Sequence, residues 1–353
     1  MNIKIAVSGL NASDNPGPGV GIMKCLRAQT DLDLSIVGLA YDAKEAGIYV
    51  KDLCDEVYLV PYPSAGIQVF RQRILHIQKT SNIDFFLPAL DSELANYQAI
   101  EKDLVKTGAK LFLPTPEMLE MRSKLRLQDL CKTAKLKYPK TIEASSLDQL
   151  YAGARKIGYP AFAKGIFYEA VLVRNDADLA KAAASISSRW GYPILLQECV
   201  GGEEFDIALV GDGQGKILGM TAMKKMQLTE KGKAWGGMTI HAKELFAFSQ
   251  KLVKTLQWRG PMEVEVMRRS SDGALYLIEI NPRFPAWIYL SHGAGCNLPA
   301  LLLSQVYKKR AAPKSTVLGK PGTLFLRYSQ DMIVSMDEYE SILVKGELAR
   351  ART

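Results

Sequence analysis

At 353 residues the chain is too long for one ordinary core and suits two or three packed subdomains. Apolar residues make up 48% and charged residues 23%, a globular profile, and no apolar run approaches the roughly 18–20 residues that a bilayer span requires. The net charge is +8, but no long Lys/Arg run or basic stripe with interleaved aromatics accompanies it, so an anionic small molecule is expected rather than nucleic acid or a membrane.

The N-terminal MNIKIAVSGL is too short in its apolar part for a signal peptide and reads as a first strand over 3–7. Cys25, Cys54, Cys131, Cys199 and Cys296 form no CxxC pair, and His76, His241 and His292 lack zinc-ligand spacing. Buried or free thiols in a reducing cytoplasm are expected.

The first third alternates strand and helix. After the Gly/Pro/Asn/Asp loop 9–21 a helix is expected over 22–29, then strands over 34–39 and 56–60, a helix over 69–80, and strands over 85–90 and 110–113. This alternation predicts an α/β domain with a doubly wound parallel sheet. Its Gly17, Gly19 and Gly21 do not fit G-x-G-x-x-G, which ranks a dinucleotide site, and hence a dehydrogenase, low. Asp91 and Glu93 follow a strand at the sheet's carboxyl edge; they either meet an amine substrate or cap the next helix.

Pro114 and Pro116 break the pattern. Helices are expected over 117–135, 147–157 and 176–189, with strands over 159–164, 171–174 and 194–198. Beyond the Gly201-Gly202 turn, strands 204–210 and 217–223 pair as a hairpin, a helix spans 242–256, and strands 260–267 and 274–280 flank Ser271-Asp272-Gly273. From Pro313 onward only a strand over 322–327 is legible. The expected domains are an N-terminal α/β domain (1–113), linker helices and a small lobe (114–200), a C-terminal lobe (201–312) and an extension (313–353).

The richest stretch is the last hairpin. Glu263 and Glu265 lie at strand period two and share a face, as do Glu279 and Asn281. Pairing brings Glu265 opposite Glu279 and Asn281, an oxygen-rich patch of the kind hard divalent cations prefer. Arg283 adds a planar fork suited to phosphate or carboxylate. A solvent-facing charged hairpin would carry the same pattern.

Glu-Ile-Asn-Pro-Arg after a hairpin, with a Glu fourteen residues before Glu279, resembles the metal-binding end of ATP-grasp enzymes, above all carbamoyl-phosphate synthetase large subunits and related carboxylate–amine ligases. The resemblance covers roughly residues 114–310. It implies two α+β lobes with antiparallel sheets, Mg²⁺ (or Mn²⁺) on Glu265, Glu279 and Asn281, and Arg283 at the transferred phosphoryl group. It also implies ATP phosphates on Lys124 and Lys164, adenine at the Gln197-Glu198-Cys199-Val200 hinge through the Glu198 carbonyl and Val200 N–H, and ribose on Glu204, with Glu203 as the competing choice. By itself, Lys124 reads equally as a solvated helix-face lysine, whereas Lys164 ends an apolar strand and is desolvated unless an anion meets it.

One departure is plain. The segment after Lys164, Gly-Ile-Phe-Tyr-Glu-Ala-Val, lacks the Gly/Ser-rich phosphate loop of the family. The basic stretch 224–237 is a candidate replacement, with Lys225 reaching the γ-phosphate; an ordinary solvated loop is the alternative. Trp287, Tyr289 and His292 follow the metal strand and are expected to line the acceptor pocket or, for the two aromatics, to pack in the core.

The implied activity joins a small-molecule carboxylate to an amine, an amino acid or peptide among the candidates, through an acyl phosphate, releasing ADP and phosphate. Bicarbonate as the carboxylate stays open, as does a nucleotide-binding module without turnover. A homodimer is the default assembly.

Overall fold

Ile3–Val7 and Leu34–Ala40 are buried along almost their whole length, as strands of a parallel sheet covered on both faces must be. The computed structural model describes residues 2–12, 16–29, 32–166, 169–229, 232–241, 243–307 and 315–349. These divide into two units: 1–116, 206–263 and 281–353 form the first, and 117–205 and 264–280 the second. Among the described residues no helix is long and apolar enough to cross a membrane.

The first unit opens with β1 (Ile3–Val7), α1 (Gly19–Arg27), β2 (Leu34–Ala40), β3 (Glu56–Leu59), α2 (Ile67–Ser81), β4 (Phe85–Leu87) and α3 (Asp91–Lys106). Strand β1 pairs in parallel with β2 and β4, and β2 with β3. The glycine-rich turn before α1 is built for close backbone approach. A Cβ on Gly17 would sit 2.5 Å from the Gly9 carbonyl oxygen, and one on Gly19 would sit 2.2 Å from that of Ser8. The Gly17 and Gly19 amides donate to the Asn11 and Gly9 carbonyls, so these N–H groups serve the turn. Residues 13–15 of this loop lie outside the described residues.

The second unit holds α4 (Pro116–Met121, its first residue in the first unit), α5 (Leu127–Ala134), β5 (Thr141–Ala144), α6 (Leu147–Ile157), β6 (Ala161–Gly165), β7 (Ala170–Val173), α7 (Asp176–Trp190) and β8 (Ile194–Glu198). Its sheet runs β5-β8-β6-β7, antiparallel throughout. Helices α6 and α7 begin where sequence rules place them: Ser146 and Asn175 accept from the Gln149 and Asp178 amides. Their apolar faces (Leu150, Ala154, Leu179, Ala183, Ile186) pack with Ala161, Ala163, Ile194 and Leu196 in one core.

The remaining elements are β9 (Gly202–Asp212), β10 (Ile217–Leu228), β11 (Ala234–Thr239), α8 (Lys243–Leu256), β12 (Arg259–Arg269), β13 (Leu275–Asn281), α9 (Tyr289–Gly293), α10 (Leu298–Tyr307), β14 (Val317–Leu318), β15 (Leu324–Leu326), α11 (Met336–Lys345) and β16 (Glu347–Ala349). One sheet runs β13-β12-β9-β10-β11-β15, with β14 on β10. Strands β9, β12 and β13 have residues in both units.

Several expectations change. The helix expected over 117–135 is two helices, because residues 122–126 form a turn in which the Ser123 carbonyl accepts from Arg126 and Leu127. Residues 110–113 reduce to a single bridge between Lys110 and Phe85. Strand β5 had no sequence signal strong enough to separate it from its flanking turns. The stretch 224–237, expected as a loop, is mostly the β10–β11 hairpin, with Lys224 opposite Met238 and Lys225 opposite Gly237. Residues 230–231 at its tip lie outside the described residues. The tail contributes more than one strand: β14 and β15 extend the large sheet, and β16 pairs antiparallel with β3, giving the N-terminal sheet the order β16-β3-β2-β1-β4.

Candidate functional site

Strand β6 carries Lys164 out of an alternating pattern in which Ala161, Ala163 and Gly165 are buried. The Lys164 ammonium is desolvated, and this pushes its pKa below the usual lysine value. Glu279 opposes the shift most strongly, Lys124 reinforces it, and Glu265 and Glu204 oppose it further. Five expected site residues of the second unit therefore share one electrostatic neighbourhood. Lys124, placed by the turn between α4 and α5, donates to the Gly165 carbonyl at 3.4 Å. Ligand oxygens of Glu204 and Glu265 approach within 4.8 Å of one another. Asp206, two residues beyond Glu204 on β9, lies on the same face by strand period.

The expected hinge is the end of β8. The Glu198 side chain is engaged: Arg269 donates to Oε1 at 2.7 Å, and the Lys140 amide donates to Oε2 at 3.1 Å. Any role for Glu198 toward a ligand thus falls to its backbone, as the sequence reading had it. Gln197 is buried and donates to the Thr141 hydroxyl at 2.9 Å. Val200 is buried in the segment leading to β9. Glu203 is exposed and Glu204 half-buried, which favours Glu204 of the two for an inward role.

The link between β6 and β7 spans only residues 166–169, and the Gly165 amide is already committed to the Glu169 carbonyl at 3.1 Å. Phe167 and Tyr168, part of the segment expected to lack a phosphate cradle, lie outside the described residues.

In the first unit the β12–β13 hairpin shows a partner that the sequence reading left out of the site. Glu263, buried at 6% exposure, accepts from Asn281 Nδ2 at 3.1 Å, Arg283 Nη1 at 2.7 Å and Trp287 Nε1 at 3.1 Å. Arg283 also reaches Asp91 Oδ1 through Nε at 3.0 Å. The signal was present: Glu263 had the right period and strand, but the choice among acidic partners depends on the register set by the turn that Arg269 and Ala274 close.

Lys225 pairs with Asp206 at 3.2 Å, with the two side chains 7% and 4% exposed. It stands on a strand, buried beside a carboxylate; the flexible loop position expected for it is corrected, because β10 continues to Leu228 before turning.

Of the acceptor-pocket expectations, Glu93 is a fold element. It is fully buried and accepts from the Ala89 and Leu90 amides at 2.6 and 2.8 Å and from the Ser8 and Tyr41 hydroxyls. Burial raises its pKa against those four donors. Trp287 is buried, while Tyr289 is 44% exposed and stacks on His292 at 5.6 Å.

The profile of a family described as "ATP-grasp in the biosynthetic pathway with Ter operon" matches residues 192–321. The carbamoyl phosphate synthase large chain of Pyrococcus furiosus is 23% identical over 269 residues, covering 71% of this chain and 24% of the relative, so the chain spans about a quarter of that protein. Among solved structures, a biotin carboxylase–β,γ-ATP complex from Campylobacter jejuni superposes with a TM-score of 0.70 at 16% identity, covering 88% of this chain and 72% of the other. An L-amino acid ligase from Bacillus licheniformis gives 0.64 at 18% identity, covering 87% and 74%. The chain thus shares the fold of these solved structures and resembles the ATP-grasp family over residues 192–321, with the Lys164 neighbourhood and the Glu-Ile-Asn-Pro-Arg strand in place on it.

Proposed function

We propose that the chain is an ATP-dependent ligase that phosphorylates a carboxylate and joins the acyl phosphate to an amine or related nucleophile, releasing ADP and phosphate. The observation that carries this reading is the cluster around Lys164: a buried ammonium with a second lysine, Lys124, beside it and the carboxylates of Glu279, Glu265 and Glu204 around it, which gathers phosphate-binding cations and hard metal ligands in one place. The reading takes the N-terminal sheet as a doubly wound preceding domain and 114–200 and 201–312 as the two lobes.

The donor set fits Mg²⁺, or Mn²⁺ in its place. It consists of the Glu265 and Glu279 carboxylates and the Asn281 amide oxygen, hard ligands without a sulfur or imidazole among them, and Glu265 and Glu279 share the Lys164 neighbourhood. Glu265, Glu279 and Asn281 would hold the metal, whose chemistry is to neutralise and template the phosphates. Lys124 and Lys164 bind phosphate oxygens, and an anion beside Lys164 favours its charged form against the desolvation that lowers its pKa. The Glu198 carbonyl and Val200 N–H read adenine, and Glu204 holds ribose. Arg283, held in a fixed orientation by Asp91 and Glu263, steadies the charge of the in-line transfer. Lys225 assists at the γ-phosphate only by leaving Asp206, which places it last among these roles.

The test is a screen of amino acids and small acids for substrate-dependent phosphate release, with mass spectrometry of the product. Glu279→Gln is expected to lower turnover by about a thousandfold or more, in line with lost charge stabilisation in phosphoryl transfer. Release that persists in Glu279→Gln removes the metal assignment. A binding module without turnover is the second reading, favoured by the short β6–β7 link and the committed Gly165 amide; nucleotide binding without phosphate release under any acid–amine pair would select it.

A further inference from the structure

We infer that Glu263 is a positioning residue for the metal and phosphoryl machinery, fixing the orientation of Asn281, Arg283 and Trp287 together. The inference rests on the ligase reading above and adds a residue to it.

A carboxylate only accepts hydrogen bonds. The Asn281 group that meets Glu263 Oε2 at 3.1 Å is therefore its NH₂, which fixes which way round the amide stands. Oδ1, the atom a hard cation would take, is the other arm of the same planar amide and is directed away from Nδ2. An amide free to flip would present NH₂ there half the time, and NH₂ repels a cation.

The same oxygen, Glu263 Oε2, accepts from Arg283 Nη1 at 2.7 Å, while Asp91 Oδ1 forms an ion pair with Nε at 3.0 Å without hydrogen-bond geometry. Two carboxylates on two sides of one planar fork hold it in a single orientation. The other oxygen, Oε1, takes Trp287 Nε1 at 3.1 Å, and Trp287 is 95% removed from solvent. One buried carboxylate thus holds the last residue of β13 and two points on the segment that follows it. Its donors are side chains only, among the contacts described, and two of the three come from the residues proposed to meet metal and phosphate. A purely structural carboxylate would more economically take backbone amides, as Glu93 does.

The full chain is titrated with Mn²⁺ in the presence of a non-hydrolysable ATP analogue, and bound Mn²⁺ is read by electron paramagnetic resonance; melting temperature is measured alongside. Glu263→Gln keeps the size and an acceptor for Trp287 but loses the charge and puts an NH₂ against the other donors. It is expected to weaken Mn²⁺ binding about tenfold or more, the usual cost of removing an outer-shell partner. Affinity for the analogue without metal should be unchanged, and Glu263→Asp should recover part of the loss. If Glu263→Gln fails to fold, Trp287→Phe, which removes a single donor, is expected to weaken Mn²⁺ binding by a smaller factor with little change in analogue affinity. Wild-type Mn²⁺ affinity in the folded variants would overturn the positioning role and leave the ligase reading intact. Failure of the wild-type chain to bind the metal–analogue complex would overturn the ligase reading and this inference with it.

Discussion

Two buried glutamates in the first unit, one at the carboxyl end of the N-terminal sheet and one in the last hairpin, solve the same problem with different partners. Glu93 is held by two backbone amides just before α3 and by two hydroxyls, from the residues that follow β1 and β2. Glu263 is held by an amide, a guanidinium and an indole, all side chains. Backbone donors tie a carboxylate to the path of the chain, so the first glutamate specifies how strands and helix join. Side-chain donors tie the second to the orientation of groups that can act on a ligand. Burial is common to both; the share of backbone donors is where they differ.

The strongest attempt to break this comparison is Glu93→Ala. It removes the acceptor of the Leu90 amide and the Tyr41 hydroxyl, while the Ala89 amide keeps the Ser8 hydroxyl, and is expected to cost about 3 kcal/mol of unfolding free energy, measured by urea titration. Mn²⁺–nucleotide affinity of the folded fraction should be unchanged. Lost metal binding at full stability would mean the backbone-held glutamate belongs to the site after all.

A smaller effect is expected where the comparison extends to lysines. Lys225 is matched by Asp206, both nearly dry. Asp206→Asn or Lys225→Met alone should destabilise by roughly 2–4 kcal/mol, and the Asp206→Leu/Lys225→Met pair should recover much of that, because a buried ion pair is costly chiefly when half of it is removed. Phosphate release in Lys225→Ala equal to wild type would remove Lys225 from the catalytic set.

The smallest effect sharpens the contrast. Lys164 has its pKa depressed, so the fold disfavours its charged form. Between that depressed value and the ordinary lysine value of 10.5 the unfolded chain binds more protons, and ligand-free stability therefore rises with pH across the window and levels off above it. Lys164→Met should abolish this rise without lowering the melting temperature at neutral pH, and should remove most of the stabilisation given by the ATP analogue. A melting temperature that falls on Lys164→Met would show the ammonium to be well matched without a ligand.

Much of this arrangement was legible in the sequence because strand period and motif order are local. Lys164 at the end of an apolar strand, the Glu265/Glu279 spacing and the β8 hinge depend on few residues, and Lys164, Glu265 and Glu279 do fall in one neighbourhood. What was not legible is long-range. Glu263 was seen on the right face, but its partners depend on register. Lys225 was placed in a loop because Lys-Lys-Met-Gln-Leu-Thr-Glu-Lys looks solvated, while pairing with β11 and the Asp206 charge override that composition. Gly17 and Gly19, which do not fit a dinucleotide motif, are explained by their close approach to the Ser8 and Gly9 backbone.

The pairing of β16 with β3 has its own consequence. Glu347–Ala349 are separated from Glu56–Leu59 by nearly the whole chain, yet they supply the outermost member of the N-terminal sheet, and Arg73 secures the junction through the Gly346 carbonyl at 2.7 Å. During synthesis β3 must wait with an open edge until the ribosome has delivered residues 347–349. A truncated product ending before α11 would carry that edge permanently, a template for strand addition between copies and hence for aggregation.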